Sequence, residues 1–318
     1  PTNDGSVGQI ELNSDGTPEY HHYNTDAIWG GYWNLTNLWA MAYPEYYNDW
    51  IQSQMLVYKD AGWLGDGIAA SRYVSGVGTN MVSIAFSGAY NSGIRNFDIE
   101  TAYKAALKNE LEWRGRIEGA GKMDVRQFVE KGYVPYNDEI YFGTSDKGSA
   151  FCGSHTLEYS FSSYAVAQWA KALGKTDDYK KLMDLSAGWA KLFDDTMKVI
   201  RPRLADGSFI DKFNPLEPWR GFQEGNAIQY TFFVPQDPVG LIKRVGKDLF
   251  NHRLDSIFIE ARKSIFGGGK VTYAFSGLQS PYNHGNQPNL HISWLFNYSG
   301  KPYLTQKWTR LICDEFYG

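Results

Sequence analysis

Apolar positions along this chain recur mostly at helical spacing. Pro44 stands where a first helical residue belongs, and Glu45 suits the positive end of a helix dipole. Trp50, Ile51, Met55 and Tyr58 then return every third or fourth residue until Gly62. Asp98 is placed to cap another helix that carries Ala102, Ala105, Ala106 and Trp113. From Tyr164 onward, Val166, Trp169, Ala170 and Leu173 form an apolar face that Gly174 ends. Thr176 restarts the pattern through Tyr179, Leu182, Met183, Trp189 and Phe193, which predicts a tight αα-hairpin. A similar pair is predicted near the end, with Ile292, Leu295 and Phe296 before Gly300 and Leu304, Trp308, Leu311 and Ile312 after Pro302.

Between the hairpins lie two long segments, roughly Ile200 to Lys247 and Phe266 to Asn289, rich in Pro, Gly, Asn and aromatic residues. Loops of that length inside a compact domain are usually functional. Strand-like alternation is scarce, Val271 to Phe275 being one candidate, so the pattern predicts a mainly α chain of paired helices, as in a closed toroid of helical hairpins. No break in composition marks a second domain.

Composition narrows the function classes. A chain of 318 residues with 43% hydrophobic content can bury a large core, and its net charge of -4, with acids and bases interspersed, offers no basic stripe for a phosphate backbone. Apolar runs such as Tyr230 to Val234 are too short to span a bilayer, and no charged leader followed by an apolar stretch opens the sequence at Pro1. Cys152 and Cys313 are far apart, without metal-ligand spacing, and read as buried free thiols. Aromatic residues make up 16% of the chain, including 11 Trp and 22 Tyr. Flat rings with polar tips suit a groove that stacks on sugar faces, and equally a helical core that uses them as packing volume.

Sharp catalytic signatures are missing: there is no zinc helix of the His-Glu-x-x-His kind, no nucleophile elbow, no phosphate-cradling loop and no dinucleotide fingerprint. Phe266 to Lys270, FGGGK, turns the chain. Asp177 and Asp178 complement a helix start, and Asp194 and Asp195 read as a solvated surface pair. Three stretches cluster hydrogen-bonding side chains with glycine and aromatics, as a site reading several hydroxyl groups requires. RGFQEGNAIQYTFFVPQD holds the lone carboxylate Glu224; SHTLEYSFSSY puts Glu158 where a helix begins; NHGNQPNLHISW packs His284, Asn286, Gln287, Asn289 and His291 ahead of a helix. Each has a plainer reading, Glu158 as a helix cap and His291 as a core histidine among them.

Taken together, TLEYSFSSYAVAQWAKALGKTDDY, RPRLADGSFIDKFNP, GFQEGNAIQYTFFVPQD, RLDSIF and HGNQPNLHISWLFNYSGKP resemble glycoside hydrolase family 92, the calcium-dependent exo-acting α-mannosidases. NMVSIAFSGAYNSGIRNFDIETAY upstream is similar to the family as well. The resemblance implies an (α/α)6 toroid-type barrel and hydrolysis of α-linked mannose of glycans with inversion, outside the cytoplasm, in the periplasm or the extracellular space. It places Glu224 at the position of the general acid, with Trp29, Glu158, His284, Asn286 and Gln287 as substrate-binding residues and Asn226 and Asn286 as amide ligands to calcium. Burial among Phe222, Tyr230 and Phe232 would keep Glu224 protonated. The partner base falls in a segment after ICDEFYG, and an N-terminal β-sandwich precedes the barrel in complete members. Residues 1-318 are therefore expected to be the barrel part of a longer protein, without the sandwich or the base.

The chain also departs from the family. AIWGGYWNLT, Ala27 to Thr36, keeps Trp29 but has Gly30 where an Asp is usual, and lacks the Arg that follows. Ser162 and Ser163 replace an Asp pair, Gln236 a His, and Gln287 the usual Glu. Loss of negative charge at Gln287 would admit an anionic neighbour, such as a phosphodiester, in the leaving-group site. Beside the α-mannosidase reading stand a non-catalytic glycan-binding relative and an α-glycosidase of the same fold with another or an anionic substrate.

Overall fold

The computed structural model describes residues 12–23, 28–65, 67–69, 72–73, 79–117, 119–140, 147–269 and 275–318. They group into two compact units, each drawn from separate stretches of sequence. The first comprises Pro1–Gly132, Phe142–Lys147 and Glu158–Ala187, the second Tyr133–Tyr141, Gly148–Leu157 and Gly188–Gly318. The uniform composition gave no sign of this division.

In the first unit the helical pattern is realised closely. The helix Pro44–Ala61 starts on its proline and stops where Gly62 turns left-handed at φ 73°. Asp98 caps Ile99–Leu111 by accepting the Thr101 N–H at 3.0 Å, and Trp113 lies beyond the end of that helix. The apolar faces meet in a core where Trp50, Phe86, Tyr103 and Trp169 are almost wholly buried. Trp50 meets the edge of Phe86, and Tyr103 that of Trp169. Removing such side chains from water stabilises the fold by roughly 1.5–3 kcal/mol each. The Tyr103 hydroxyl donates to Asp178 at 2.8 Å, so this acid, placed in the first turn of Thr176–Ser186, serves a side chain as well as the helix dipole.

Several boundaries differ from the expectation. The helix expected from Tyr164 begins at Cys152 and runs to Ala172, so Glu158 lies inside it and is not a cap. The helix from Thr176 stops at Ser186; Trp189 follows in a 3-10 turn, and Phe193–Asp194 pairs with Val199–Ile200 as a short antiparallel hairpin. Asp194 is consequently not a solvated residue. It is buried, accepts the Thr196 and Met197 amides of the hairpin turn and pairs with Arg201 at 3.0 Å, while only Asp195 stays exposed.

In the second unit, the segment expected to be irregular contains the helices Ala227–Thr231 and Pro238–Val245 before Lys247–Arg262. Near the end the first limb is a 3-10 helix, Ile292–Asn297, followed by the α-helix Pro302–Phe316. Phe258 stacks on Trp308 at 5.3 Å in this unit's core, and the Trp308 indole N–H donates to Asp255 at 2.8 Å. Most of the strand candidate Val271 to Phe275 lies outside the described residues; Phe275 itself is in a turn. Cys152 is a buried free thiol as expected, whereas Cys313 is exposed. Among the described residues no helix is long and apolar enough to cross a membrane.

Candidate active site

The segment that holds Glu224 is shaped by contacts on both sides. Arg220 donates to the carbonyls of Asp211 and Lys212 at 2.9 and 2.8 Å and pins the entry to the loop. The Trp219 N–H donates to the Gly225 carbonyl at 3.1 Å, closing residues 219–225 into a small ring of backbone. Gly221 turns at φ 90° with its α-carbon pressed on the ring of Pro202, where a β-carbon would sit 2.3 Å from Cγ. Its carbonyl receives the N–H groups of Gly153 and Ser154, which satisfies donors at the start of the helix Cys152–Ala172. The Ser154 hydroxyl oxygen in turn accepts the Gln223 N–H at 3.0 Å, and the Tyr230 hydroxyl donates to the Gln223 carbonyl at 2.8 Å.

Within this frame Glu224 adopts φ 53°, a left-handed backbone that a residue with a β-carbon enters only at a cost. Asn286, from the NHGNQPN stretch, donates its amide to the Glu224 carbonyl at 2.8 Å and helps hold it there. Phe222, Tyr230 and Phe232 are buried at 0%, 4% and 3% exposure, and Phe222 and Tyr230 lie ring to ring at 5.4 Å. Glu224 is half-buried, and desolvation raises its carboxyl above the ordinary carboxylate value. Desolvation thus favours the protonated form, as a proton donor requires.

Two other residues expected to touch ligand have partners within the structure. Asn226 caps Ala227–Thr231: its oxygen accepts the Ile228 and Gln229 amides, and its nitrogen donates to the carbonyls of Leu278 and Ser280 at 2.8 and 2.9 Å. Both lone pairs of that oxygen, expected to face a cation, accept backbone amides here. His284 is bonded at both nitrogens, to the Tyr282 hydroxyl at 2.6 Å and to that of Tyr317 at 2.9 Å. Burial pushes its pKa down to about 4, which leaves a neutral ring joining two tyrosines. His291 bonds the Phe232 carbonyl at 3.0 Å and has a pKa lowered by burial to about 4, in agreement with a core histidine. Gln287 is half-buried and opens the 3-10 turn Gln287–Asn289.

Trp29 and Glu158 lie in the first unit. Trp29 is on the 3-10 helix Ile28–Trp33, whose Tyr32 donates its hydroxyl to the buried Glu158 carboxylate at 3.2 Å. The structure thus joins Glu224 and Asn286 by a hydrogen bond, ties Asn226, two residues on, to the carbonyls of Leu278 and Ser280, and places Trp29 on the same short element as Tyr32, the partner of Glu158. Ser154 and Trp219 were not among the residues expected at the site. A hydroxyl beside a glycine at a helix start and a Trp after a proline were the available signals. Among the described residues no three His, Cys, Asp or Glu side chains converge, so a calcium ion there would rely on amide and carbonyl oxygens.

Known proteins resemble this chain in sequence and fold. Residues 4–318 match the glycosyl hydrolase family 92 catalytic domain. A family GH92 α-mannosidase from Bacteroides thetaiotaomicron superposes with a TM-score of 0.79 at 28% identity, covering 96% of this chain and 39% of that one. A family GH92 inverting mannosidase from the same organism gives 0.78 at 25% identity, with 96% and 42% covered. An uncharacterized secreted glycosidase of Arthroderma benhamiae is 27% identical over 305 residues, or 85% of this chain and 35% of the relative. The chain therefore spans well under half the length of these proteins. The likenesses bear out the mainly helical, (α/α)6-type fold class and the resemblance read from the motifs, and the chain belongs to glycoside hydrolase family 92.

Proposed function

We propose that the protein is an exo-acting, inverting α-mannosidase in which Glu224 is the general acid. The observation that carries this reading is the half-buried Glu224 carboxyl, raised in pKa by desolvation and held on a left-handed backbone by Asn286 and the Trp219 to Gly225 closure. Glu224 gives its proton to the departing glycosidic oxygen as the bond to the anomeric carbon breaks. A second carboxylate on the opposite face takes a proton from the attacking water, at roughly 6.5–9.5 Å from the first. Asp237 is not suited to that task, because its Oδ1 accepts the Gly240 N–H as the cap of Pro238–Val245. The α-mannosidase and the inverting mannosidase that the chain resembles support the substrate and the stereochemistry, and the relative described as secreted supports a place outside the cytoplasm. Calcium is the cofactor that the family resemblance implies for this reaction.

Replacing Glu224 by Gln in the full-length protein should lower the rate on α-mannosides with poor leaving groups by roughly a hundred- to ten-thousand-fold. Release of mannose measures it, and a loss below about threefold would overturn the assignment. The pH profile gives a second readout. A carboxyl whose pKa is raised in the folded protein is fully protonated below the ordinary value of 4.5 and loses its proton as pH climbs through the raised one. Activity should fall along that limb, and the limb should vanish in Glu224→Gln. A glycan-binding relative without catalysis would instead bind mannosides and release nothing.

A further inference from the structure

A cleft of about 640 Å3 opens in the second unit beside the Glu224 loop, within the size range of ligand pockets. Pro218, Phe275 and Leu278 give it apolar surface; Glu260, Ser276 and Gln279 give it polar groups, and the 267–269 glycine turn completes one wall. Its walls share hydrogen bonds and ring contacts with the acid segment. Asn226 donates to Leu278 and Ser280, and Gln229 donates to Gly277 and Ser280 at 3.0 and 2.7 Å, so the Gly277–Ser280 wall is tied to the helix that follows Glu224. On the other side Pro218 precedes Trp219, whose N–H closes the acid loop and whose ring meets Phe275 at 5.5 Å.

The cleft is also built rigidly. Ile265 and Phe266 are consecutive residues at φ 52°, and for the β-branched Ile265 this is an unfavourable backbone. Gly277, at φ 78°, packs so closely on Asn283 that a β-carbon would lie 2.7 Å from its Cγ. Asn283 donates to the Ser276 carbonyl at 3.0 Å and accepts the Gly285 N–H, which fixes the wall to the NHGNQPN stretch. Yet Phe275 is 47% exposed at the edge of this fixed frame. A large ring left half in water beside amide, hydroxyl and carbonyl groups is the chemistry that receives a sugar, whose C–H face covers the ring while its hydroxyls meet the polar groups.

We propose that this cleft is a subsite for a sugar unit of the glycan on the leaving-group side of Glu224, with Phe275 as its stacking surface. Glu260 at the rim is exposed and paired with Lys263 at 2.5 Å, so the described polar groups of the wall meet a sugar through hydroxyl, amide and carbonyl groups. The proposal rests on the α-mannosidase reading, and a binding experiment separates the two. Full-length protein carrying Glu224→Gln, which prevents turnover, is titrated calorimetrically with methyl α-mannoside and with α-linked mannose oligosaccharides of increasing length. Affinity should rise with length, and adding Phe275→Ala should remove roughly tenfold from the longer ligands. Phe275→Trp, which keeps a ring at the position, should retain the gain and shows that the loss comes from the missing ring and not from misfolding. If methyl α-mannoside binds but length adds nothing, or the gain survives Phe275→Ala, the subsite is refuted and the reading of Glu224 stands. If no mannoside binds, the α-mannosidase reading falls and takes the subsite with it.

Discussion

Glu224 pays for its position in backbone conformation. A left-handed φ on a residue with a β-carbon costs roughly 1–2 kcal/mol, and the surroundings enforce it: Trp219 closes the loop, Asn286 holds the carbonyl and Ser154 holds the preceding amide. Glycine escapes that cost, whereas alanine does not. Glu224→Gly is therefore expected to be more stable than Glu224→Ala by about 1 kcal/mol, although both remove the acid. Denaturant unfolding of the two variants measures the difference, and equal midpoints would mean that the loop relaxes to an ordinary φ once the carboxyl is gone. Desolvation acts in the same direction. It disfavours the charged carboxylate, so stability from this group is present below the ordinary carboxylate pKa and is lost as pH rises through the raised one.

At the level of elements, the first unit is tied together by a buried ion pair. Lys122 and Glu110 are both fully buried and bonded to each other. Glu110 also accepts the Ser163 hydroxyl and the Asn80 amide, each at 2.6 Å, so one carboxylate joins the helix Ile99–Leu111 to the starts or interiors of two others. The Lys122 ammonium further lies over the rings of Phe128 and Tyr159. Burial nonetheless lowers the lysine pKa, the desolvation outweighing the favourable field of Glu110. Lys122→Met should destabilise the protein by about 3–5 kcal/mol, because it leaves Glu110 unpaired in the interior. Lys122→Met with Glu110→Leu should recover much of that loss, as thermal unfolding of the single and double variants would show; a double variant as unstable as the single one would locate the cost in packing. Ser163 was legible only as a departure from the family, since nothing local to SFSSY names a carboxylate distant in sequence. The start of the helix Cys152–Ala172 was hidden for a similar reason: the carbonyl that receives its first amides is that of Gly221, in another segment. By contrast Pro44, Gly62 and Asp98 act on their own neighbours, and their helices were read nearly to the residue.

Over the whole molecule the same distinction holds. Periodicity announced a mainly helical chain and the motif order announced the family, yet the division into two units left no mark on composition, because each unit is assembled from stretches that are separate in sequence. Aromatic residues occupy both kinds of place: Trp50, Trp169 and Trp308 are core, while Phe275 stands half exposed at a cleft. The cysteines allow the second unit to be followed by itself. Cys152 and Cys313 both belong to it and both are free, but Cys152 is wholly buried in the first turn of its helix and Cys313 is exposed on Pro302–Phe316. A thiol reagent should therefore label Cys313 promptly in the native protein and Cys152 only when that unit opens. The rate at Cys152, followed by mass spectrometry against denaturant, should rise with the opening of the unit, so it reports local stability where a global signal averages over both units. Prompt labelling of both thiols in the native state would contradict the packing of Gly153 and its neighbours against the Gly221 carbonyl, and with it the support on which the Glu224 loop is built.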